Sequence, residues 1–301
     1  MVVTAIDRSG DKLLFKIRAP IFVPGNRRDM LEKAKSFKTD FIVPDLEDSV
    51  PYAEKDHARD LVQIMIPTLV KHGQNIIVRI NSLGTGLAEK DIAAVVSNDI
   101  TGISMGKIRS TGDVLSYDRL VGAAEQRIGL TIGVIKFILW IETSIAVLHA
   151  FDIARASERV AAIAFGAEDY TQDLGIKRTL SGAELDFPRA MVGLAARATG
   201  VTALDTPYVQ FRDKNGLEQE IKRVQKYGYR GKFAIHPDQI ETIRMQFKPQ
   251  PDEVEYACRV VEGWNVASSE GRGSFDLDGN MIDVPIVERS RNLLAEAEEL
   301  S

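Results

Sequence analysis

"FIVPDLEDSVPYAEKDHARDLVQIMIPTLVKHGQNIIVRIN", residues 41–81, contains one complete unit of the fold. It opens on a short apolar run, Phe41 to Asp45, that stops abruptly at three carboxylates, Asp45, Glu47 and Asp48. A stretch of helical period from 53 to 71 follows, and then a second apolar run, "IIVRI", at 76 to 80. Strand, helix and strand in this order make a β/α/β crossover, the building block of a parallel sheet.

The same alternation recurs on both sides. Candidate strands lie at 17–23, 41–45, 76–80, 100–105, 134–141, 160–165, 201–204 and 232–235. Helices are expected at 27–37, 53–71, 86–97, 184–199 and 216–227, the last with Leu217, Ile221 and Val224 on one face. Eight such units in about 250 residues specify an α/β chain closed into a (β/α)8 TIM barrel. An open doubly wound sheet has the same local signature, and the barrel is the favoured reading. Residues 1–248 are assigned to the barrel and 249–301 to a C-terminal extension of helix and loop. Within it, Val254, Ala257, Val261 and Trp264 sit at helical spacing, and a Gly-rich segment, "GRGSFDLDGNMIDVP", reads as a lid.

Composition excludes several functions. The 301 residues are 45% hydrophobic and 27% charged, with 38 basic against 43 acidic side chains and a net charge of −5. That balance argues against nucleic acid or a membrane surface as partner and favours small molecules or protein. The one cysteine, Cys258, excludes an intrachain disulfide and a Cys-rich metal site, and suits a reducing, cytoplasmic setting. No secretory leader is read at the N-terminus, and no apolar run reaches the ~20 residues of a membrane span. The longest, "IGVIKFILWIE", is interrupted by Lys136 and reads as a buried strand.

In a barrel the loops after the strands share one face, where the chemistry is done. The strand ends carry Arg27 and Arg28, the acids at 45–48, Arg79 and Asn81, Lys107, Glu142, Glu168 with Asp169, Asp205, and His236. Any one of these could be polar only because a strand stops where solvent begins. Their density suggests a divalent cation and an anionic substrate, since carboxylates suit Mg2+ and arginine suits carboxylate. "VPGNRR" places Arg27 and Arg28 in the first turn of a helix, a pattern that can meet phosphate oxygens. Lys33 reads as a solvated helix residue and His236 as structural.

The blocks "RAPIFVPGNRRDMLEKA", "FIVPDLEDSVPYAEKDHAR", "VRIN", "IETSIAVLHAFDIA", "FGAEDYTQDLG", "ALDTPYVQFRDKNGL", "GYRGKFAIHP" and "GNMIDVP" resemble, in order, those of the HpcH/HpaI aldolase/citrate lyase family, in particular its citrate lyase β-like and malyl-CoA or citramalyl-CoA lyase members. The resemblance runs from Arg18 to Pro285. It implies a barrel with a C-terminal extension, assembled as a homotrimer, and Mg2+, with Mn2+ as a substitute, held by Glu142 of "IET" and Asp169 of "GAED". It implies that the backbone of Gly166, Ala167 and Glu168 holds the carboxylate of a keto acid, that Arg79 faces the thioester oxygen, and that Arg18 lies near the carrier. Asp283 of "MID" would come from a neighbouring subunit as the acid or base at the α-carbon. Glu47 and Asp48 would then orient waters and bases around the metal, with Asp45 ranked below them; Asp48 or Ser49 as a helix N-cap is the plainer alternative.

The implied reaction is cleavage of a 3-hydroxy-3-carboxyacyl-CoA thioester to a keto acid and an acyl-CoA. Three alternatives stay open: a citrate lyase β-subunit acting on an acyl-carrier-protein thioester, a metal-dependent pyruvate aldolase without CoA, and a non-catalytic CoA-ester-binding subunit. The sequence departs from the family pattern at "MGKIRS", at "IETSIAVLHA" and at bulky Trp140, all of which bear on the acyl pocket.

Overall fold

The computed structural model describes residues 17–179 and 181–298; the outer ends of the two expected domains, 1–16 and 299–301, lie outside the described residues. Eight parallel strands follow one another in chain order: β1 (Ile21–Pro24), β2 (Ile42–Asp45), β3 (Ile77–Ile80), β4 (Gly102–Met105), β5 (Lys136–Ile141), β6 (Val160–Phe165), β7 (Thr202–Asp205) and β8 (Gly231–Lys232). The last strand also meets the first. Ile21 forms a parallel bridge with Ala234, the Phe22 N–H donates to the Ala234 carbonyl at 3.0 Å, and the Ala234 N–H donates to the Pro20 carbonyl at 2.8 Å. The sheet therefore curls until its two edges bond, as closure of a (β/α)8 barrel requires and an open doubly wound sheet does not. The eighth strand is shorter than the expected 232–235, because its pairing with β7 is confined to Gly231 and Lys232 and its bridge to β1 comes later, at Ala234.

Side chains alternate across a strand, so one residue in two faces the barrel interior. Those positions supply Phe41, Val43, Ile77, Ile138, Trp140, Ala162, Ala164, Leu204 and Phe233, one buried cluster with Phe22 packed on it. Phe22 stacks on Phe233 with ring centroids 4.8 Å apart, and Trp140 lies 4.7 Å from Phe233. The Trp140 indole N–H donates to the Ser104 hydroxyl at 2.8 Å, which satisfies the one polar atom of the ring. Small Ala162, Ala164 and Ser104 make room for this large side chain.

Outside the sheet the helices bury apolar stripes. In α2 (Lys55–Lys71) these are Ala58, Leu61, Val62, Met65, Ile66 and Leu69. Charge is buried here too. Asp205, at the end of β7, accepts two bonds of 3.0 Å from Arg189 of α8 (Asp186–Thr199) and one from Lys232 of β8. Lys232 also reaches Glu220 of α9 (Lys214–Gln225) at 2.5 Å. Arg189, Asp205 and Lys232 are all fully buried. Asp205 is thus a structural tie between strand and helices, not one of the groups that gather at the barrel mouth.

The chain divides at Arg244/Met245 into two compact units. The second contains α11 (Pro251–Ser269), a hairpin of β9 (Phe275–Leu277) and β10 (Asn280–Ile282), and α12 (Val284–Glu298). Its core is Val260, Ile282 and Val287, with Trp264, Phe275, Leu277 and Ile286 around it. The buried stripe of α11 is Ala257, Val260 and Ala267; of the expected positions, Ala257 is buried and Trp264 packs on the core, while Val254 and Val261 are half-buried and Val260 takes the place given to Val261. The Gly-rich segment leads into an ordered turn: Asp278 and Gly279 both take left-handed φ, 54° and 80°, as a two-residue hairpin connection demands. Asp283 follows directly, at the start of α12, where its carbonyl accepts the N–H groups of Ile286 and Val287 at 3.1 Å.

The buried ion cluster yields a stability prediction. Asp205→Ala leaves Arg189 and Lys232 in the interior with part of their compensation gone, a defect that costs about 3–5 kcal/mol. Urea unfolding of the variant should show a loss of that order, whereas Asp213→Ala, at an exposed helix cap, should lose about 1 kcal/mol.

Candidate active site

The residues at the barrel mouth are the next inward positions after the apolar floor. Val43 is succeeded two residues on by Asp45, Ile77 by Arg79, Trp140 by Glu142 and Ala164 by Gly166. The same period that builds the core therefore delivers the polar groups above it.

Asp45 is fully buried and heavily bonded. Its carboxylate accepts Arg79 Nε at 2.7 Å and Nη2 at 2.6 Å, the Glu47 N–H at 2.8 Å and the Ser49 N–H at 3.1 Å. Burial pushes this carboxyl up, but the Arg79 guanidinium and the N–H donors outweigh it and hold Asp45 below its ordinary value. Arg79 is fixed from every side: Asp48 Oδ2 lies 3.2 Å and Glu47 Oε2 3.3 Å from Nη1, and the guanidinium sits 4.5 Å over the Phe22 ring. The loop itself is stapled by Lys55, whose ammonium donates to the Leu46 and Glu47 carbonyls at 2.7 and 2.6 Å.

Glu142, at the end of β5, is 5% exposed. The Lys107 N–H donates to its Oε1, and its Oε2 lies against Gly166, where a Cβ would come within 2.6 Å. Gly106 does the same for Glu47: a Cβ there would meet both carboxylate oxygens at 2.8 Å. Asp169 stands in the first turn of α7 (Ala167–Leu174). Lys107 points its ammonium at Asp48 Oδ1, 3.3 Å away, and at Glu47 Oε1, 3.7 Å away.

This assembly is short of positive charge. Counted with every carboxyl ionised, Asp45, Glu47, Asp48, Glu142 and Asp169 face Arg79, Lys107 and Lys55, which leaves two formal negative charges for protons or a cation to offset. Burial pushes Glu142 up to about 8, and repulsion from Asp169 and Glu47 adds to it. Burial likewise pushes Glu47 up to about 7, with Arg79 opposing and Asp48 adding. Asp169 is raised by burial and by Asp48. Among the described residues Glu47 Oε1 is buried without a hydrogen-bond partner. Among the described residues no group of three or more His, Cys, Asp or Glu side chains is placed to hold a metal, so a cation at Glu142 and Asp169 would take its other ligands from water or substrate, as the oxygen donors suit Mg2+.

Not every expected residue joins this group. Arg18 lies three residues before β1, at the opposite end of the strands, and its N–H donates to Asp40. Arg27 and Arg28 are exposed at the start of α1 (Arg28–Ala34); Arg27 is held in a fork by Asp29 at 3.0 and 2.9 Å. The Gly166 N–H is used by the Ile141 carbonyl and the Ala167 N–H by the Thr206 hydroxyl, while Glu168 pairs with Arg178. Glu168 and Asp169 stand in the first turn of α7, where backbone amides precede the helix's own acceptors. Asn81 bonds Asp91 instead of the site, and His236 is stacked on Phe211. The sequence alone did not reveal the Phe22 ring beneath Arg79 and ranked Asp45 too low; both follow from the inward register of β1 and β2, which strand pairing fixes.

A sequence profile described as HpcH/HpaI aldolase/citrate lyase matches residues 18–237. The chain belongs to this family. It is 35% identical over 277 residues to the citrate lyase subunit beta of Leuconostoc mesenteroides subsp. cremoris, with 92% of each chain covered. It is 31% identical over 287 residues to a (3S)-malyl-CoA thioesterase of Cereibacter sphaeroides, covering 94% of this chain and 95% of that one. Among solved structures, CitE of Mycobacterium tuberculosis in complex with magnesium, acetoacetate and coenzyme A matches with a TM-score of 0.77 and 27% identity, over 95% of this chain and all of that one. No helix among the described residues is long and apolar enough to cross a membrane.

The raised carboxyls have a measurable sign. A group whose folded-state value lies above its unfolded value stabilises the fold at low pH, and that contribution is lost as pH rises through the folded value. In EDTA, Glu142→Gln should therefore melt higher than the parent at pH 8, by a margin worth a few kcal/mol, and the gap should close toward pH 4. Thermal melts across that range check it. Added Mg2+ should raise the parent's melting temperature at pH 8 and leave that of the variant nearly unmoved.

Proposed function

We propose that the protein is a Mg2+-dependent carbon–carbon lyase that cleaves or forms a 3-hydroxy-3-carboxyacyl-CoA thioester, such as malyl-CoA, methylmalyl-CoA or citramalyl-CoA. The observation that carries this reading is the barrel mouth, where five acids crowd against three bases with Glu47 and Glu142 buried beside a fixed arginine. The (3S)-malyl-CoA thioesterase relative and the CitE complex with magnesium, acetoacetate and coenzyme A support the substrate class.

Glu142 and Asp169 would hold the metal, which when bound supplies Lewis-acid polarisation of the oxygens of the hydroxy acid. Glu47, whose buried Oε1 accepts no hydrogen bond and whose carboxyl is pushed up to about 7, is suited to take the proton of the substrate hydroxyl. As the bond between the hydroxyl-bearing carbon and the thioester α-carbon breaks, its electron pair moves onto the α-carbon and the thioester oxygen. Arg79 is preorganised to face that charge, because Asp45 and the Phe22 ring fix its orientation before substrate arrives. Asp283 of a neighbouring copy in a homotrimer, carried at the start of α12, would deliver the proton to the α-carbon and release the acyl-CoA. Arg27 and Arg28 would meet the CoA phosphates, and the first-turn amides of α7 the keto-acid carboxylate.

A second reading, action on an acyl-carrier-protein thioester, is favoured by the 35% identity to citrate lyase subunit beta and by the pairing of Arg27 with Asp29, which offsets its charge. Incubation with Mg2+ and a panel of CoA and carrier-protein thioesters separates the two. The lyase reading expects glyoxylate or pyruvate together with an acyl-CoA, EDTA-sensitive and abolished by Glu142→Ala or Asp169→Ala. Release of free acid and CoA with no keto acid would indicate thioester hydrolysis instead.

The assembly part of the reading is tested separately. Asp283→Ala should lose about 10²–10⁴-fold in rate while retaining Mg2+ and keto-acid binding. Mixed with inactive Glu142→Ala and allowed to exchange subunits, it should regain activity, since mixed assemblies pair an intact Asp283 with an intact Glu142 site. A mixture that exchanges and stays inactive would confine Asp283 to its own chain.

A further inference from the structure

Lys107 has a φ of 58°, in the left-handed region. The other non-glycine residue there among those described, Asp278, occupies a hairpin turn that requires it. Lysine has no short polar side chain to ease that conformation, which is unfavourable for an L-residue and persists only where the surroundings impose it. On one side, Met105 is held in the sheet by its pairing with Leu139; on the other, Ile108 is buried and Ser110 caps α4 (Thr111–Arg127). With both ends anchored, the φ of Lys107 determines how the peptide plane between Gly106 and Lys107 is turned. That plane carries the N–H that donates to Glu142 Oε1. Glu142 Oε2 lies against Gly166, beside the turn that leads to Asp169.

We propose that Lys107 is a positioning residue for Glu142: its left-handed backbone holds an N–H on Oε1 and leaves Oε2 to face a divalent cation. This inference rests on the reading of Glu142 as a metal ligand, and it assigns the work to the backbone of Lys107, with the ammonium serving separately as a counter-ion to Asp48 and Glu47.

The test is Mn2+ affinity, measured by electron paramagnetic resonance, for the parent chain and for Lys107→Gly, Lys107→Asn, Lys107→Ala and Lys107→Val. All four variants remove the ammonium and differ in tolerance of positive φ. Gly and Asn should bind Mn2+ within about threefold of each other, Ala more weakly, and Val weakest, by the 10–100-fold that loss of a ligand's supporting bond typically costs. Circular dichroism monitors folding, and the Asn-to-Ala comparison stands alone if Val does not fold. Equal affinities across the series, or an order that follows side-chain volume with Asn below Ala, overturn the inference and leave the metal reading intact. Failure of the parent chain to bind Mn2+ overturns both.

Discussion

Carboxylates gathered over an apolar floor repel one another, and the bidentate bond between Asp45 and Arg79 is what makes the gathering tolerable. It places a permanent cation at the centre of the group, within 3.3 Å of Glu47 and Asp48 as well. Because Asp45 is fully buried and four donors converge on it, Arg79 has little freedom to swing away. The loop from 45 to 49 owes its path to the same carboxylate, since two of those donors are its own amides. Loss of Asp45 would therefore loosen a loop, a cation and two neighbouring acids together.

The fold and the site share one rule. Strands that alternate in and out bring apolar side chains into the barrel and then, one step later, bring charge to its mouth. Around the outside the buried quartet of Arg189, Asp205, Lys232 and Glu220 ties strand ends to helices, with two positive and two negative groups nearly balanced. The mouth departs from that balance by two charges. A buried imbalance is relieved either by protons, as the raised Glu142 and Glu47 carboxyls show, or by a ligand of opposite charge, which is why this departure points to function and the quartet points to stability.

Much of this was legible in the sequence. Apolar runs and helical periods located all eight strands, and the order of the motifs identified the family. Glu142, Asp169, Arg79, Glu47 and Asp48 could be named because each closes or follows a strand. What escaped was set by geometry that leaves no mark on residue type. The three acids at 45–48 look alike in sequence, yet the loop turns Asp45 inward to clamp Arg79 and leaves Asp48 half outside. The Arg27–Asp29 pair spans two residues and so falls outside the three- and four-residue spacings that helix rules consider. Left-handed φ at a lysine has no compositional signature, and the inward register that gave Phe22 its place under Arg79 is visible only once strand pairing is known.

Trp140 fills the space that Ser104, Ala162 and Ala164 leave, and with Phe22 and Phe233 it closes the barrel just below the charged mouth. A closed floor gives a substrate nowhere to extend downward. On the proposed reaction, acyl groups of different length would then be told apart sideways, by the loops that rim the mouth. A lineage could exchange one substrate for another by rewriting those loops alone, without reopening a packed interior on which folding depends.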